Sequence, residues 1–390
     1  MDLNTGLSAH LEEIIQIRRH IHMYPELSEE ETETAGYIAS VLEKYQIPFR
    51  RTETGNGIVA QIGNPGNKCV GLRADIDALP VTEETGLPYA SKKSGVMHAC
   101  GHDMHTAILL GTGILLKELE DQLPGAVKLF FQPAEETIGG AKDMITDGCL
   151  ENPKVTEVVA LHVDPTTRSG DISLKYGPMN AASDEFSISI EGKACHGAHP
   201  EQGTDAIVIA AQVVSALQTI SSRSFAPTTP VIVTIGQIHG GTKSNIVCGN
   251  VILSGTVRSL SADVMKEIRR LVEEISTKTA QAMGGDASVS WGANPYPPLV
   301  NDHRVSSILE QTARQILGDD HVHIRDAASL GADDFAFFTE KVPGVYFDLG
   351  TTAEGDPIYP LHSEKMAPDE TAIEHGIRIM ASAALKLLQE

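Results

Sequence analysis

The 390-residue chain predicts an α/β protein, with a mostly parallel sheet flanked by helices and an inserted ferredoxin-like α+β domain. Three observations predict it. The length exceeds what one compact core usually supports. Through residue 182 short apolar runs alternate with stretches of helical periodicity, the order that builds a parallel sheet with helices on its faces. From Ser183 the texture changes to strict alternation, and the elements that follow run β-α-β-β-α-β, the split motif of ferredoxin-like domains. The expected division is a main domain of residues 1–182 and 294–390 and an insert of residues 183–293.

Taken in order, Leu7, Leu11, Ile14, Ile15 and Ile21 form one stripe of a first helix that ends near Met23, before Pro25. Ser28 with Glu31 three residues on predicts a capping box, in which each side chain satisfies the other end's amide. The helix it opens turns Ile38, Val41 and Leu42 inward and stops before Pro48. Strands are expected at Ile58–Ile62, Cys69–Ile76, Val127–Phe131 and Val158–Val163, with a helix from about Met104 to Leu119 and a short one before Val158. In the insert, Glu185–Glu191 alternates as a half-exposed strand does, followed by a helix at about Asp205–Ile220 and strands at Val231–Ile238 and Asn250–Val257. A helix at Ala262–Met283 and a strand at Ala287–Trp291 complete it. From about Pro295 a helix, a strand and a final helix rejoin the main domain.

Composition narrows the function. With 52 acidic against 30 basic residues the formal charge is −22, and such a surface repels phosphate backbones, so nucleic acid is not an expected partner. No uninterrupted apolar run approaches the roughly 18 residues of a membrane span, and the start lacks a basic region followed by an apolar core, so a cytoplasmic location is expected. Five dispersed cysteines, an odd number, argue for reduced thiols rather than a disulfide framework.

Met97-His-Ala-Cys-Gly-His-Asp-Met-His105 concentrates metal-ligand types at the mouth of a predicted helix. In extended backbone Cys100 and His102 would turn their side chains the same way, with Gly101 leaving room between them. Asp75 and Asp77, Glu135 and Glu136, His162 and His362 lie where further predicted strands or loops end, and open α/β sheets bind ligands there. Such a density of carboxylates stays ionised only beside cations, which two metal ions would supply. Neighbouring glutamates in an extended segment point opposite ways, so one would ligate metal while the other accepts the proton of an activated water and returns it to a leaving nitrogen. A cysteine nucleophile at Cys100 is the competing arrangement, disfavoured because His102 is too near in sequence to serve as its base.

These stretches, together with Leu72-Arg-Ala-Asp-Ile-Asp-Ala-Leu-Pro80, Gln132-Pro-Ala-Glu-Glu136, Leu161-His-Val163 and Gly192-Lys-Ala-Cys-His-Gly-Ala198, resemble the amidohydrolase branch of the aminoacylase and carboxypeptidase-like metallopeptidases. That branch includes hippurate hydrolases, N-acyl amino acid deacylases and auxin-conjugate hydrolases. The resemblance begins at Arg19 and covers nearly the whole chain. It implies a binuclear centre held by Cys100, His102, Glu136, His162 and His362, with Glu135 as general base and Asp77 as the carboxylate that orients a ligand. Asp75 and Asp103 are weaker candidates. The insert would serve as lid and dimerisation domain, with His196, Asn245 and Arg258 contacting the substrate carboxylate or the oxyanion. Arg258 suits a carboxylate because its planar fork gives two parallel charge-assisted bonds.

The expected activity is hydrolysis of the amide bond of N-acyl amino acids by a homodimer or higher oligomer with two divalent ions, zinc, manganese, cobalt or nickel, per subunit. A metallo-dipeptidase or aminopeptidase is the rival, and would need an acidic partner for the α-amine, for which Asp184 or Glu185 are the candidates. A non-catalytic metal-dependent binding protein is the alternative from another class.

Overall fold

A computed structural model describes residues 3–390 apart from positions 54, 65, 67 and 138, with side chains from Gly6 onward. Residues 1 and 2, part of the start from which the absence of a leader was expected, lie outside the described residues. The chain opens with helices α1 (Leu3–Met23) and α2 (Thr32–Lys44). Strands β1 (Phe49–Arg51), β2 (Ile58–Ile62) and β3 (Cys69–Asp75) lead to α3 (His102–Glu118), β4 (Ala126–Gln132), α4 (Gly140–Thr146), β5 (Glu157–Arg168) and β6 (Ile172–Leu174). Then come β7 (Ala182–Glu191), the short β8 (Cys195–His196), α5 (Ala206–Thr219), β9 (Val231–Gly240), the short β10 (Ile246–Val247), β11 (Asn250–Ser259), α6 (Ala262–Ala282) and β12 (Asp286–Trp291). The chain closes with α7 (His303–Leu317), β13 (Val322–Ile324), β14 (Gly344–Thr352) and α8 (Ala372–Gln389).

Two compact units result. The first takes the chain up to Met179, Val300–Ala327 and Asp334–Glu390, and the second Asn180–Leu299 and Ala328–Asp333. Against the expected insert of 183–293, the second unit starts three residues earlier and includes a segment from the C-terminal third.

In the first unit an eight-stranded sheet runs β1-β2-β4-β3-β5-β14-β6-β13. Its centre, β4-β3-β5-β14, is parallel throughout, whereas β1/β2, β2/β4 and β14/β6 are antiparallel. The sheet is therefore mixed, with antiparallel pairs outside a parallel middle. Every residue of β3 and β4 is buried, as strands covered on both faces require. Helix α3 is buried on nearly all sides from His102 to Leu116; its first turns carry His102, Asp103 and His105, and Ala107–Leu116 is mainly apolar, as burial all round requires.

The second unit contains the antiparallel sheet β9-β11-β7-β12, the strand order of a ferredoxin-like fold. Helix α5 is capped by Asp205, which accepts from Ile207 N and Val208 N, and α6 by Ser261, which accepts from Val264 N. Ala206, Ile209, Ala210, Val213 and Leu217 form the buried stripe of α5. By length and composition alone Ala206–Ser224 could cross a membrane, which the short uninterrupted apolar runs did not lead one to expect. Its buried stripe instead packs into the core of this unit with Phe186, Ile188, Val251 and Leu253.

The capping box expected at Ser28 and Glu31 does not form. Helix α2 starts four residues after Ser28, Glu31 occupies its N-cap position without a side-chain capping bond, and both side chains bond elsewhere. Ser28 Oγ donates to Asp77 Oδ2 at 2.7 Å, and Glu31 Oε1 accepts from Ala134 N at 2.8 Å.

Candidate metal centre

The parallel middle of the sheet decides where the chemistry gathers. β4, β3, β5 and β14 point the same way, so the segments leaving their carboxyl ends share one edge of the sheet. Asp75 is the last residue of β3 and Asp77 follows it; Glu135 and Glu136 follow β4; His162 lies on β5; His362 lies in the loop after β14. Cys100 and His102 enter on the turn that starts α3.

These side chains meet. The ligand atoms of Cys100, His102 and His162 lie within 4.8 Å of one another, as do those of Cys100, Glu136 and His362, and those of His102, Glu135 and Glu136. Cys100 Sγ is 3.4 Å from His162 Nε2, and Glu136 Oε1 lies 3.2 Å from His362 Nε2 and 4.0 Å from His102 Nε2.

Ring orientation follows from the bonds on the far side of each imidazole. His102 Nδ1 lies 2.9 Å from the Asp77 carbonyl, which can only accept, and 3.1 Å from Asp77 Oδ1; it therefore donates and leaves the Nε2 lone pair for the cluster. That Nε2 is buried without a hydrogen-bond partner among the described residues. A buried acceptor of this kind is costly unless something binds it, and a cation does. His162 Nδ1 donates to the Val163 carbonyl at 2.8 Å, again turning Nε2 to the cluster. A thiol, three imidazoles and a carboxylate thus converge as a set that fits borderline divalent ions.

Local backbone differs from the sequence expectation at both pairs of neighbouring candidate residues. Cys100 and His102 are not joined by extended backbone: Gly101 adopts φ +80° and turns the chain into α3, and a Cβ there would sit 2.4 Å from Val163 Cγ2. Glu135 and Glu136 lie in a turn instead of an extended segment, and both carboxylates face the same cluster rather than diverging. The turn is entered through Ala134 at φ +55°. His362 is itself left-handed at φ +67°, and its N–H donates to Ala99 O at 2.8 Å, which ties the late loop to the segment carrying Cys100.

Electrostatics match the burial. Burial pushes the Cys100 thiol well above its ordinary range, with the charges of Glu136 and Glu135 adding to the effect. Burial opposes protonation of His102, but Asp75, Cys100 and Asp77 together hold its pKa well above the usual value, so Nε2 attracts a positive charge, which a cation would supply in place of a proton. Asp77 remains below the ordinary carboxylate range despite burial, chiefly through its bond to His102. His362 is raised by its hydrogen bond to Glu136.

The weaker candidates have other partners. Asp103 pairs with Arg18 Nε at 2.7 Å and His22 Nδ1 at 2.8 Å. Asp75 is bonded by Arg73 Nη1 and His105 Nδ1, each at 2.6 Å. Sequence reasoning gave His105 no role. Val163 N donates to its Nε2 at 2.9 Å, so Nδ1 carries the proton to Asp75, and the ring braces β5 beside His162. Arg73, 1% exposed, was missed as well: it reaches Gln132 Oε1, Asp75 and Asp334, tying β3 to the end of β4. An arginine in the middle of an apolar strand was the available signal.

In the second unit His196 is exposed and pairs with Ile246, next to Asn245, whose carbonyl accepts from Gly197 N at 2.8 Å. Arg258 lies on β11, which has neighbours on both sides and is not an edge strand, and its Nη1 donates to Leu330 O at 3.0 Å. Asp184 is buried and paired with Arg269 Nη1 at 2.9 Å, while Glu185 is exposed.

The family model of peptidase family M20/M25/M40 matches residues 71–386. N-acetyl-L-cysteine deacetylase of Bacillus subtilis is 41% identical over 385 residues, which cover 98% of this chain and 90% of that protein. Thermostable carboxypeptidase 1 of Saccharolobus solfataricus is 39% identical over 381 residues, covering 96% of this chain and 95% of the relative. Among solved structures, the YXEP protein of Bacillus subtilis, described as a dinuclear metal binding peptidase from the M20 family, matches with a TM-score of 0.84 and 32% identity over 98% of this chain and 99% of that one. With matches of this length and a ligand cluster at the carboxyl edge of its sheet, the chain belongs to peptidase family M20/M25/M40 and is a metal-dependent hydrolase of amide bonds.

Proposed function

We propose that this hydrolase cleaves N-acyl amino acids, with Glu135 as general base and Cys100, His102, Glu136, His162 and His362 holding two divalent ions. The observation that carries the reading is the pair of adjacent carboxylates facing one cluster, since a site that only bound metal has no need of the second. Divalent ions there supply Lewis acidity, lowering the pKa of water toward about 7 and polarising the acyl carbonyl. Glu135 accepts a proton from the attacking water as its oxygen bonds to the acyl carbon, and returns it to the nitrogen as the C–N bond breaks, giving a carboxylate and an amine. Asp77, through His102 Nδ1, fixes the ring that presents Nε2.

In this reading His196, Asn245 and Arg258 of the inserted unit take the substrate carboxylate and the oxyanion. The exposure of His196 and its pairing beside Asn245 support that role. An aminopeptidase needs an acidic partner for a substrate amine, and the ion pair of Asp184 with Arg269 commits the buried candidate elsewhere. We further propose a homodimer through the inserted unit, supported by edge strand β9 and by exposed Ile207, Val208, Ile238 and Ile252 on the same unit.

The test is Glu135→Gln assayed on N-acetyl-methionine and on an unblocked dipeptide. The variant is expected to keep its metal by elemental analysis while kcat on the acyl substrate falls by on the order of 10²–10⁴. Undiminished turnover, or preference of the native enzyme for the dipeptide, would contradict the proposal.

A further inference from the structure

The Ser28–Glu31 segment builds no helix cap; Glu31 reaches instead to the turn that carries Glu135 and Glu136, and Ser28 to Asp77, which itself bonds that turn. We infer that Glu31 is a positioning residue for that turn, holding Ala134 in its left-handed conformation so that both glutamates face the metal cluster. This rests on the roles proposed above for Glu135 and Glu136.

The geometry is specific. Glu31 is fully buried, and its Oε1 accepts from Ala134 N at 2.8 Å, across 103 residues of sequence. Oε2 accepts from Asn56 Nδ2 at 3.1 Å, and the same amide donates to Glu29 O at 2.7 Å, so the carboxylate is itself held in place. Ala134 has φ +55°, a conformation that L residues adopt only when their surroundings impose it. Two residues on, Glu136 N donates to Asp77 Oδ2 at 3.0 Å, and that oxygen also accepts from Ser28 Oγ at 2.7 Å. The tripeptide Ala134–Glu136 is thus gripped at both ends by carboxylates, one from the Ser28–Glu31 segment and one fastened to it. Behind Ala134 its carbonyl accepts from Gly139 N at 3.1 Å and Gly140 N at 3.3 Å, closing the turn.

Burial of a carboxylate held only by neutral amide N–H groups is an expensive way to stabilise a helix start, and an apolar residue would fill the space more cheaply. What Glu31 supplies that an apolar residue cannot is an acceptor for the N–H of a strained residue one position before the proposed base.

The test compares Glu31→Leu, Glu31→Gln and the double variant Glu31→Leu/Ala134→Gly in the full-length, metal-loaded protein. Glycine adopts positive φ without strain, so the turn should depend less on the missing acceptor. E31L is expected to lose roughly 10–100-fold in kcat with KM within about twofold, and about tenfold in metal affinity by chelator competition. E31Q, which keeps an acceptor oxygen, should recover most of both losses, and the double variant part of them. If E31L does not fold, Asn56→Ala carries the same prediction at about 3–10-fold, again relieved by A134G. Full kcat and metal affinity in E31L, or losses equal with and without A134G, would overturn the inference, and a drop in melting temperature alone would mark a purely structural role. Should the native enzyme turn over no N-acyl amino acid, the substrate reading fails, while the chelator competition still judges Glu31.

Discussion

Gly101 separates two proposed ligands, and replacing it with alanine tests whether the turn into α3 is as tightly built as the geometry says. Two costs add. At φ +80° an alanine pays roughly 1–2 kcal/mol relative to its right-handed conformation. The new Cβ would also stand 2.4 Å from Val163 Cγ2, more than 1 Å inside ordinary carbon contact, and 3.3 Å from Met366 Cε. Val163 is buried on a central strand and cannot swing away, so the overlap falls in the range of core overpacking, about 1–3 kcal/mol. The expected loss is therefore about 2–5 kcal/mol, less the few tenths to 1 kcal/mol that alanine returns by restricting the unfolded chain.

Gly148 supplies the control. It has φ +77°, and a Cβ there meets nothing within 4 Å among the described residues, so Gly148→Ala carries the conformational cost alone. Urea unfolding followed by circular dichroism should place G101A about 1–3 kcal/mol below G148A, the difference isolating the clash. Because the turn places Cys100 and His102, relief by backbone movement exceeds the roughly 0.5 Å that a metal site tolerates, and chelator competition should show weaker binding in G101A only. Equal stabilities within about 0.5 kcal/mol, together with equal metal affinity, would refute the reasoning.

Two other outcomes follow. Burial above all, with the charge of Asp77 adding, pushes the Glu31 pKa up to about 7 from its ordinary 4.5. Between those values the folded state keeps a proton that the unfolded chain has released, so stability falls as pH rises from about 4.5 to 7; relative to Glu31→Gln, the native protein should lose about 3 kcal/mol across that window, and parallel stability profiles would exclude the effect. If the inserted unit forms a dimer whose His196 serves the partner's centre, mixing Glu135→Gln with His196→Ala protein should restore activity to a fraction of the native level; no recovery after subunit exchange, confirmed by light scattering, would show that sites are not shared.

What sequence could reveal was set by how local each determinant is. The four long strands and two helices of the inserted unit were legible to within a few residues, because Asp205 and Ser261 cap their own helices and Phe186, Ile188 and Ile190 alternate inward along one strand; the two-residue β8 and β10 were not. The convergence of Asp77, Glu136, His162 and His362 was foreseeable from strand ends alone, since a parallel sheet sends every such end to one edge. The short β6 and β13 at the sheet's far side were not, because three-residue strands carry too little periodicity to register. Ser28 and Glu31 misled for a related reason: their spacing is that of a helix cap, and only partners 49 and 103 residues away drew both side chains elsewhere.

The least legible feature is also the one most closely tied to chemistry. Three segments bring proposed ligands to the cluster through left-handed residues: Gly101 at +80°, Ala134 at +55° and His362 at +67°. Such backbone allows a chain leaving a strand or loop to double back within one residue, which is what placing side chains from several segments around a small cluster demands. Only the glycine announces this in sequence, because glycine alone reaches the conformation without strain. Ala134 and His362 look ordinary, and each is held by a bond from its own N–H, to Glu31 Oε1 and to Ala99 O. A glycine at 134 would relax the turn and also free it to leave. Alanine held by a distant carboxylate keeps the two glutamates in one orientation, so the strain there is the consequence of requiring rigidity at a site whose proposed ligands come from four separate parts of the chain.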